Sequence, residues 1–433
     1  MTRRRPFPLS LYRGLSHIAA PAVRLMVMRR VKRGKEDPTR LRERRGHAAF
    51  HRPSGLLVWL HAASVGEVAS ALPLIRRLRE RGALVLLTTV TVTSARMVQP
   101  RLPDGAVHQF IPFDLPGAVN RFLDHWKPDL ALFMEQELWP NLLEGCRQRT
   151  IPAVLVNARM SPRSFKRWKF APRVARYLLG HFAVVLAQSD DDGERLAQLG
   201  ATRTVNVGNI KYDVPVLDVD ADHLAQLALG FAGRAVWTAA STHAGEDELV
   251  LDAHAIARQI VGRRLGLILA PRHPERGDDV ARLCEARGLS VVRRSAGAFP
   301  LASTDVFLLD TIGELGLAYR SAAVAFIGGS LVERIGGHNP IEAAKLDRVV
   351  LHGPHVHNFA DVFRTLDSTG GGIEVLDTSA LGAALVACLS APSECAQRAA
   401  LGRAAVENLG GAVDRVFRAL EPFFLQTSLD AHA

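Results

Sequence analysis

Residues 324–342 read VAFIGGSLVERIGGHNPIE, and this stretch decides the fold. Apolar residues run up to Ile327 as a short buried strand. Two glycine pairs follow, Gly328-Gly329 before Ser330 and Gly336-Gly337 before His338, and then a helix begins. Asn339 can cap that helix, Pro340 suits its first position, and the helix dipole favours an anion there. Glycines let backbone amides come close to a phosphate, and Glu342, one turn in, can accept from ribose hydroxyls. The run is neither GxxxxGK[ST] nor a strict GxGxxG, so a nucleoside monophosphate or nucleotide sugar fits it better than ATP or NAD.

Strand, turn and helix recur outward from this point, the pattern of parallel βα units. In the first half the expected strands are 56–60, 85–88, 130–133, 154–156 and 184–187; in the second they are 236–239, 267–270, 306–309, 323–327 and 349–351. Acidic, proline-containing DVPVLDVDAD at 213–222 reads as a linker between the halves. The fold class is therefore α/β, two doubly wound domains facing a cleft at the carboxyl ends of their strands. We expect a head at 1–52, a first domain at 53–212, a linker at 213–232 and a second domain at 233–433 whose last helix can cross back.

Charge is divided as sharply as the domains. The chain of 433 residues carries +11, of which +12 falls on residues 1–52 and −1 on all the rest. That excludes a surface basic throughout, of the kind that coats nucleic acid, and points to a head that meets an anion. Within the head only ten uncharged residues, 14–23, separate Arg13 from Arg24, too few for the roughly 20 of a membrane span. On a helix Leu11, Leu15, Ile18, Ala22 and Met26 share one face, opposite Arg13, His17 and Arg24, with a kink at Pro21. Such a helix can lie in a bilayer interface, its following cations against anionic lipid head groups; a solvated terminus is the alternative. Four cysteines without a CxxC pair indicate a reducing, cytoplasmic setting.

The strand ends supply the candidate chemistry. After 56–60 comes HAASVGE, residues 61–67. Ser64 and Glu67 have the spacing of a capping box, while Glu67 at the cleft mouth can serve as a general base, biased toward its ionised form by the helix N-terminus. FMEQELWPN, residues 133–141, places Glu135 and Glu137 just past another strand, on one side only while the chain stays extended. Cations Arg159, Arg163 and Lys166 follow the next, suited to phosphate or carboxylate, or simply an exposed helix face. In PRHPER, residues 271–276, Arg272 follows a strand directly in a proline-stiffened turn. His352, His355 and His357 alternate in a Gly-Pro loop and read as polar loop residues; no metal is expected.

Taken in order, HAASVGE, TVTVTSA, PFDLP, EQELWPN, VNARMS, GNIKYD, ASTHAGE, LAPRHPER, DTIGELG, FIGGSLVE, GGHNPIEAA and HGPHVHNFADV resemble the family of 3-deoxy-D-manno-oct-2-ulosonic acid (Kdo) transferases. The resemblance implies a GT-B glycosyltransferase fold with an N-terminal membrane-associating helix, and metal-independent, inverting transfer without a cofactor. It implies cytidine monophosphate-Kdo (CMP-Kdo) as donor and the lipid A precursor, lipid IVA, as acceptor at the cytoplasmic face of the bacterial inner membrane, in lipopolysaccharide synthesis. By motif Glu67 is then the base; Arg272, Gly328, Gly329, Ser330, Gly337, His338, Asn339 and Glu342 hold the donor; Ser64, Glu135, Glu137, Arg159, Arg163 and Lys166 lie toward the acceptor. Three positions depart from the pattern: Gln136 stands for Thr, Pro162 for Glu, and Ile335 is an extra residue. A nucleotide-sugar epimerase of the same fold and a non-catalytic, membrane-docked nucleotide-binding protein are the alternative functions.

Overall fold

The structure, a computed structural model, describes residues 5–213, 216–262 and 265–430. Arg3 and Arg4 of the basic head and residues 214 and 215 of the expected linker lie outside them. The chain divides into two compact units, residues 1–213 with 410–433, and residues 214–409.

Each unit is built on a seven-stranded parallel sheet. In the first, β1 (Leu57–His61), β2 (Leu84–Thr89), β3 (Ala106–Phe110), β4 (Leu130–Met134), β5 (Ala153–Ala158), β6 (Phe182–Ala187) and β7 (Thr204–Asn206) lie in the order β3-β2-β1-β4-β5-β6-β7. In the second, β8 (Ala235–Thr242), β9 (Leu265–Pro271), β10 (Val291–Arg293), β11 (Val306–Leu308), β12 (Val324–Ile327), β13 (Val349–His352) and β14 (Gly372–Glu374) lie in the order β10-β11-β9-β8-β12-β13-β14. Strand order reverses beside β1, which pairs with both β2 and β4, and beside β8, which pairs with both β9 and β12.

Alternation along β1 shows why the inner strands are apolar throughout. Val58 and Leu60 enter one core with Val85, Leu87 and Leu132, whereas Leu57 and Trp59 enter the other with Leu86, Ala131 and Phe133. Helices cover both faces, so both sets of side chains leave water. The last helix, Ala412–Asp430, belongs to the first unit, where Val416, Leu420 and Phe424 join Leu74 and Ile75 in its core. Asp213 fixes its start, its carboxylate accepting the Gly411 and Val413 amides at 2.6 and 2.5 Å.

The last helix does cross back, as the sequence allowed, so the second unit ends at Leu409. One boundary differs from the sequence expectation. Most of 213–232 is not linker: Ala221–Gly230 is a helix capped by Asp220, and its Leu227 is buried with Phe231, Leu317 and Ala318.

The basic head also differs from a loose terminus. Helix Phe7–Ile18 breaks at Ala19 and Ala20–Lys32 resumes, with Pro21 in the first turn of the second helix. Leu9 is buried, Tyr12 donates to Asp114 Oδ2 at 3.0 Å, and Arg5 meets Glu144 at 2.8 Å. The outward face carries Leu11, Leu15 and Ile18, between 51% and 73% exposed. Further on, part of the expected head-group cluster is consumed internally. Buried Arg44 pairs with buried Glu36 at 3.0 Å and donates to the Val90 and Ile111 carbonyls; Arg40 pairs with Glu43, which accepts the Phe110 amide at 2.7 Å. An unpaired charge at such depth is costly, so these arginines hold the segment onto the sheet edge and are not free for lipid. No single helix among the described residues is long and apolar enough to cross a membrane.

Candidate active site

In the first unit the strand-order reversal puts the loops after β1 and β4 side by side, the place where doubly wound sheets receive ligands. Ser64 caps the helix Val65–Glu80 and Glu67 lies in its first turn. Ser64 Oγ donates to Glu67 Oε1 at 2.7 Å, the Ala63 amide donates to Oε2 at 2.9 Å, and the Glu67 amide returns to Ser64 Oγ at 3.3 Å. The Ser64 half of the capping box is therefore formed, while the carboxylate reaches back one residue further, to Ala63, and both its oxygens are held in place. The electrostatic expectation is reversed, however. Burial, with Glu135 and Glu137 adding like charge, raises the Glu67 pKa above the usual carboxylate value despite the hydrogen bonds and the helix start.

Glu135 and Glu137 diverge because the chain turns at once. Glu135 has a φ of 51° and its Oε1 lies 2.7 Å from Lys211 Nζ. Glu137 accepts from Trp139 Nε1 at 2.5 Å and faces His61 Nε2 at 3.4 Å; His61 lowers its pKa against the opposing effect of burial. His61 is fully buried, its Nδ1 directed at the Thr88 carbonyl 3.1 Å away. Lys211 is brought in by Asn157, whose Oδ1 takes the Ile210 amide at 3.1 Å and so ties the GNIKYD turn to the end of β5. Glu67, Glu135, Glu137, His61 and Lys211 thus form one polar cluster. Neither His61 nor Lys211 was singled out from the sequence, although both lie inside quoted runs. Arg159 and the helix Pro162–Trp168, bearing Arg163 and Lys166, follow β5 with all three cations exposed, and no hydrogen bond or ion pair joins them to this cluster.

In the second unit the corresponding loops follow β8 and β12. Gly328 is required by close approach, since a Cβ there would lie 2.5 Å from the Ser241 carbonyl oxygen. Gly329 has a φ of 70°, and Ile335, the extra residue, packs against it. The amides of this loop are already taken. Glu246, fully buried at the start of the helix Glu246–Val261, accepts from Gly329 N at 2.6 Å, Ser330 N at 2.9 Å and Leu331 N at 2.9 Å, while Gly328 N bonds the Ala240 carbonyl. Ser330 is also buried, its hydroxyl donating to the Ile327 carbonyl and accepting the Gly353 amide. The expectation that Gly328, Gly329 and Ser330 offer amides to a phosphate is thereby corrected: a carboxylate of the chain itself fills that role. Gly337 bonds back to Gly329 and serves the turn.

Positive charge and donors gather beside this loop instead. His338 Nε2 lies 2.8 Å from His243 Nε2 with the rings parallel within 3°, and the His273 ring is 5.6 Å from that of His243. Burial, reinforced by Arg272, lowers His338 to about 4, and His243 is lowered too, so the pair is neutral near pH 7 and one ring donates to the other. Arg272 itself is exposed; its charge also acts on Glu342, whose pKa burial raises. Asn339 Oδ1 accepts the Ile341 amide at 3.1 Å, but the helix is only five residues, Ile341–Lys345, and its cap position is Pro340, one residue later than expected and without a side-chain cap. Among the described residues no group of three or more histidine, cysteine or carboxylate side chains is arranged to hold a metal.

Comparison with known proteins accords with this geometry. A family model described as 3-deoxy-D-manno-octulosonic-acid transferase (kdotransferase) matches residues 39–214. The 3-deoxy-D-manno-octulosonic acid transferase of Haemophilus influenzae is 38% identical over 87% of this chain and 89% of its own. That of Bordetella pertussis is 38% identical over 93% and 96%, and a probable mitochondrial one of Arabidopsis thaliana 37% identical over 83% of each. In architecture the chain is similar to a glycosyltransferase from Rickettsia africae (TM-score 0.58, 11% identity, 86% of this chain and 99% of that one) and to UDP-GlcNAc 2-epimerase from Neisseria meningitidis (0.56, 13%, 85% and 100%). These likenesses give the fold, that of the two-domain GT-B enzymes. Sequence identity over nearly the whole chain gives the family: this protein belongs to the 3-deoxy-D-manno-octulosonic acid transferases, which are glycosyltransferases.

Proposed function

We propose that the chain transfers Kdo from CMP-Kdo to a sugar hydroxyl of lipid IVA, with inversion, at the cytoplasmic face of the bacterial inner membrane. The observation that carries this reading, beside family membership, is Glu67. Its two oxygens are fixed at the strand-order reversal by Ser64 and Ala63, and its proton affinity is raised. A base works best with a pKa near the working pH. Glu67 takes the acceptor proton as the hydroxyl oxygen attacks the anomeric carbon, and the bond to the CMP phosphate breaks with its electron pair leaving on CMP. Arg272 and the His243–His338 pair are the donors suited to that growing negative charge. Glu342 and Asn339 suit the nucleoside, and Glu135, Glu137, Arg159, Arg163 and Lys166 the acceptor side. The outward Leu11, Leu15 and Ile18 support membrane association of the head.

Purified protein, CMP-Kdo and lipid IVA should yield a lipid heavier by one or more Kdo units in mass analysis. Glu67→Ala should bind CMP-Kdo while losing transfer; retained transfer leaves Glu67 with the cap alone. An altered sugar from donor without lipid would replace this reading with an epimerase.

A further inference from the structure

Beneath the second head helix, Ala20–Lys32, lies a cavity of about 590 Å³, closed on its other side by residues 113–121 after β3. Its wall is mainly apolar: Val23 and Val27, one helical turn apart, face Phe113 and Leu115 across it. Four arginines also line it: Arg44, whose charge is met by Glu36, and three others, Arg24, Arg45 and Arg121. These last three are exposed, and among the described residues none of them pairs with a carboxylate, in contrast to Arg30, Arg40 and Arg44 of the same head. Arg121 Nε donates to the Arg45 carbonyl at 2.9 Å, which holds two of them together. Their field is felt locally, because the charges of Arg121, Arg42 and Arg45 add to desolvation in depressing the pKa of His47.

An apolar hollow of this size is poorly filled by water, which needs polar partners. Its volume is that of a pocket for one ligand, too small for a multiply acylated disaccharide. Apolar walls with uncompensated cations beside them match an amphiphile that has an acyl chain and an anionic head. We infer that the cavity is a discrete site for one anionic glycerophospholipid, its acyl chain against Val23, Val27 and Phe113 and its phosphate on Arg24, Arg45 and Arg121. The inference rests on the reading that the chain works at a membrane, and it replaces a diffuse basic surface with a defined lipid site. Leu25 and Met28, both about half exposed, continue the apolar surface outward from the same helix, so a lipid can enter from the bilayer without the helix unfolding.

The test is native mass spectrometry of the full chain in detergent, with no donor or acceptor present, after incubation with phosphatidylglycerol or phosphatidylcholine. We expect one phosphatidylglycerol retained per chain, at least tenfold more than phosphatidylcholine. The triple variant R24Q/R45Q/R121Q should lose that preference, and V27W, which fills the cavity, should lose the bound lipid. R76Q/R81Q/R101Q, removing equal charge elsewhere on the same unit, should retain both, and circular dichroism checks that each variant is folded. Equal retention of the two lipids, unchanged retention in R24Q/R45Q/R121Q or V27W, or equal loss in the control variant would overturn the proposal. So would displacement of phosphatidylglycerol by stoichiometric lipid IVA, which would make the cavity an acceptor subsite. Because retention is read without turnover, a chain that holds lipid yet transfers no Kdo would refute the proposed function and leave this site standing.

Discussion

Lys211 Nζ stands 2.7 Å from Glu135 Oε1, joining the turn after β7 to the loop after β4. The pair places one positive charge in a cluster otherwise dominated by three carboxylates, two of which raise the proton affinity of Glu67. Lys211→Met removes that counter-charge, and the Glu67 pKa should rise further. The acid limb of kcat/KM should then move to higher pH by up to about one unit, measured as initial rates between pH 5 and 9. An unmoved limb would separate Lys211 from the base.

Glu67→Gln keeps an oxygen for the Ala63 amide and lacks a base. Transfer should fall by about 10²- to 10⁴-fold. Stability should respond in the opposite sense. A carboxyl whose folded pKa is raised binds more protons folded than unfolded, so the wild-type loses stability as pH rises from the unfolded value of 4.5 through the raised folded value. The Gln variant lacks that loss. Its Tm relative to wild type should therefore increase between pH 4.5 and 8, read by thermal unfolding at several pH values.

Glu246→Ala strands the amides of Gly329, Ser330 and Leu331 in a buried loop. At about 1–3 kcal/mol for each buried donor left unpaired, the second unit should be destabilised by several kcal/mol. Denaturant unfolding with a probe in that unit reads the effect. A variant as stable as wild type would show that water replaces the carboxylate.

Arg272→Gln should raise the KM for CMP-Kdo by about 10- to 100-fold, the scale of a charge-assisted hydrogen bond. It should also lift the His338 pKa modestly from about 4, since Arg272 is its second cause of depression after burial. Histidine proton NMR follows the shift; a fixed His338 pKa would place the guanidinium away from the pair.

Truncation should distinguish the two parts of the head. Removing residues 1–33 takes away the exposed apolar face and should reduce sedimentation with vesicles, while Glu36 keeps Arg44. Removing residues 1–52 also deletes Glu43 and Arg44, which bond the Phe110 amide and the Val90 and Ile111 carbonyls. That variant should unfold several degrees lower, roughly 2–4 °C per kcal/mol lost in a domain of this size.

Every strand that its composition announced lies in the interior of a sheet. The four that went unseen, β3, β7, β10 and β14, are the four edges. Thr204–Asn206 and Val291–Arg293 have no fully buried residue, so their apolar signal is diluted by the solvent they face. Similarly Arg272 was legible because it directly follows a strand, and Glu67 and Asn339 because each lies at the start of a helix marked by its own local residues. His61, Lys211, His243 and Glu246 act across strands, through partners 27 to 95 positions away, and nothing local marks them. The first glycine pair was read correctly as a tight turn, but the amides of Gly329, Ser330 and Leu331 go to a buried glutamate at least 83 residues earlier, which satisfies them as a phosphate would.

The return of Ala412–Asp430 to the first unit has a consequence for synthesis on the ribosome. Residues 214–409 are an insertion within the first unit, and they emerge before that unit possesses the side chains of Val416, Leu420 and Phe424 that complete its core. At about 5–20 residues per second, the nascent first unit waits roughly 10–40 s with Leu74 and Ile75 uncovered. The second unit, contiguous in sequence, can be finished first. A nascent chain stalled before residue 410 should hence be protease-sensitive in its first 213 residues, and the half of the enzyme that carries Glu67 would be the last to mature.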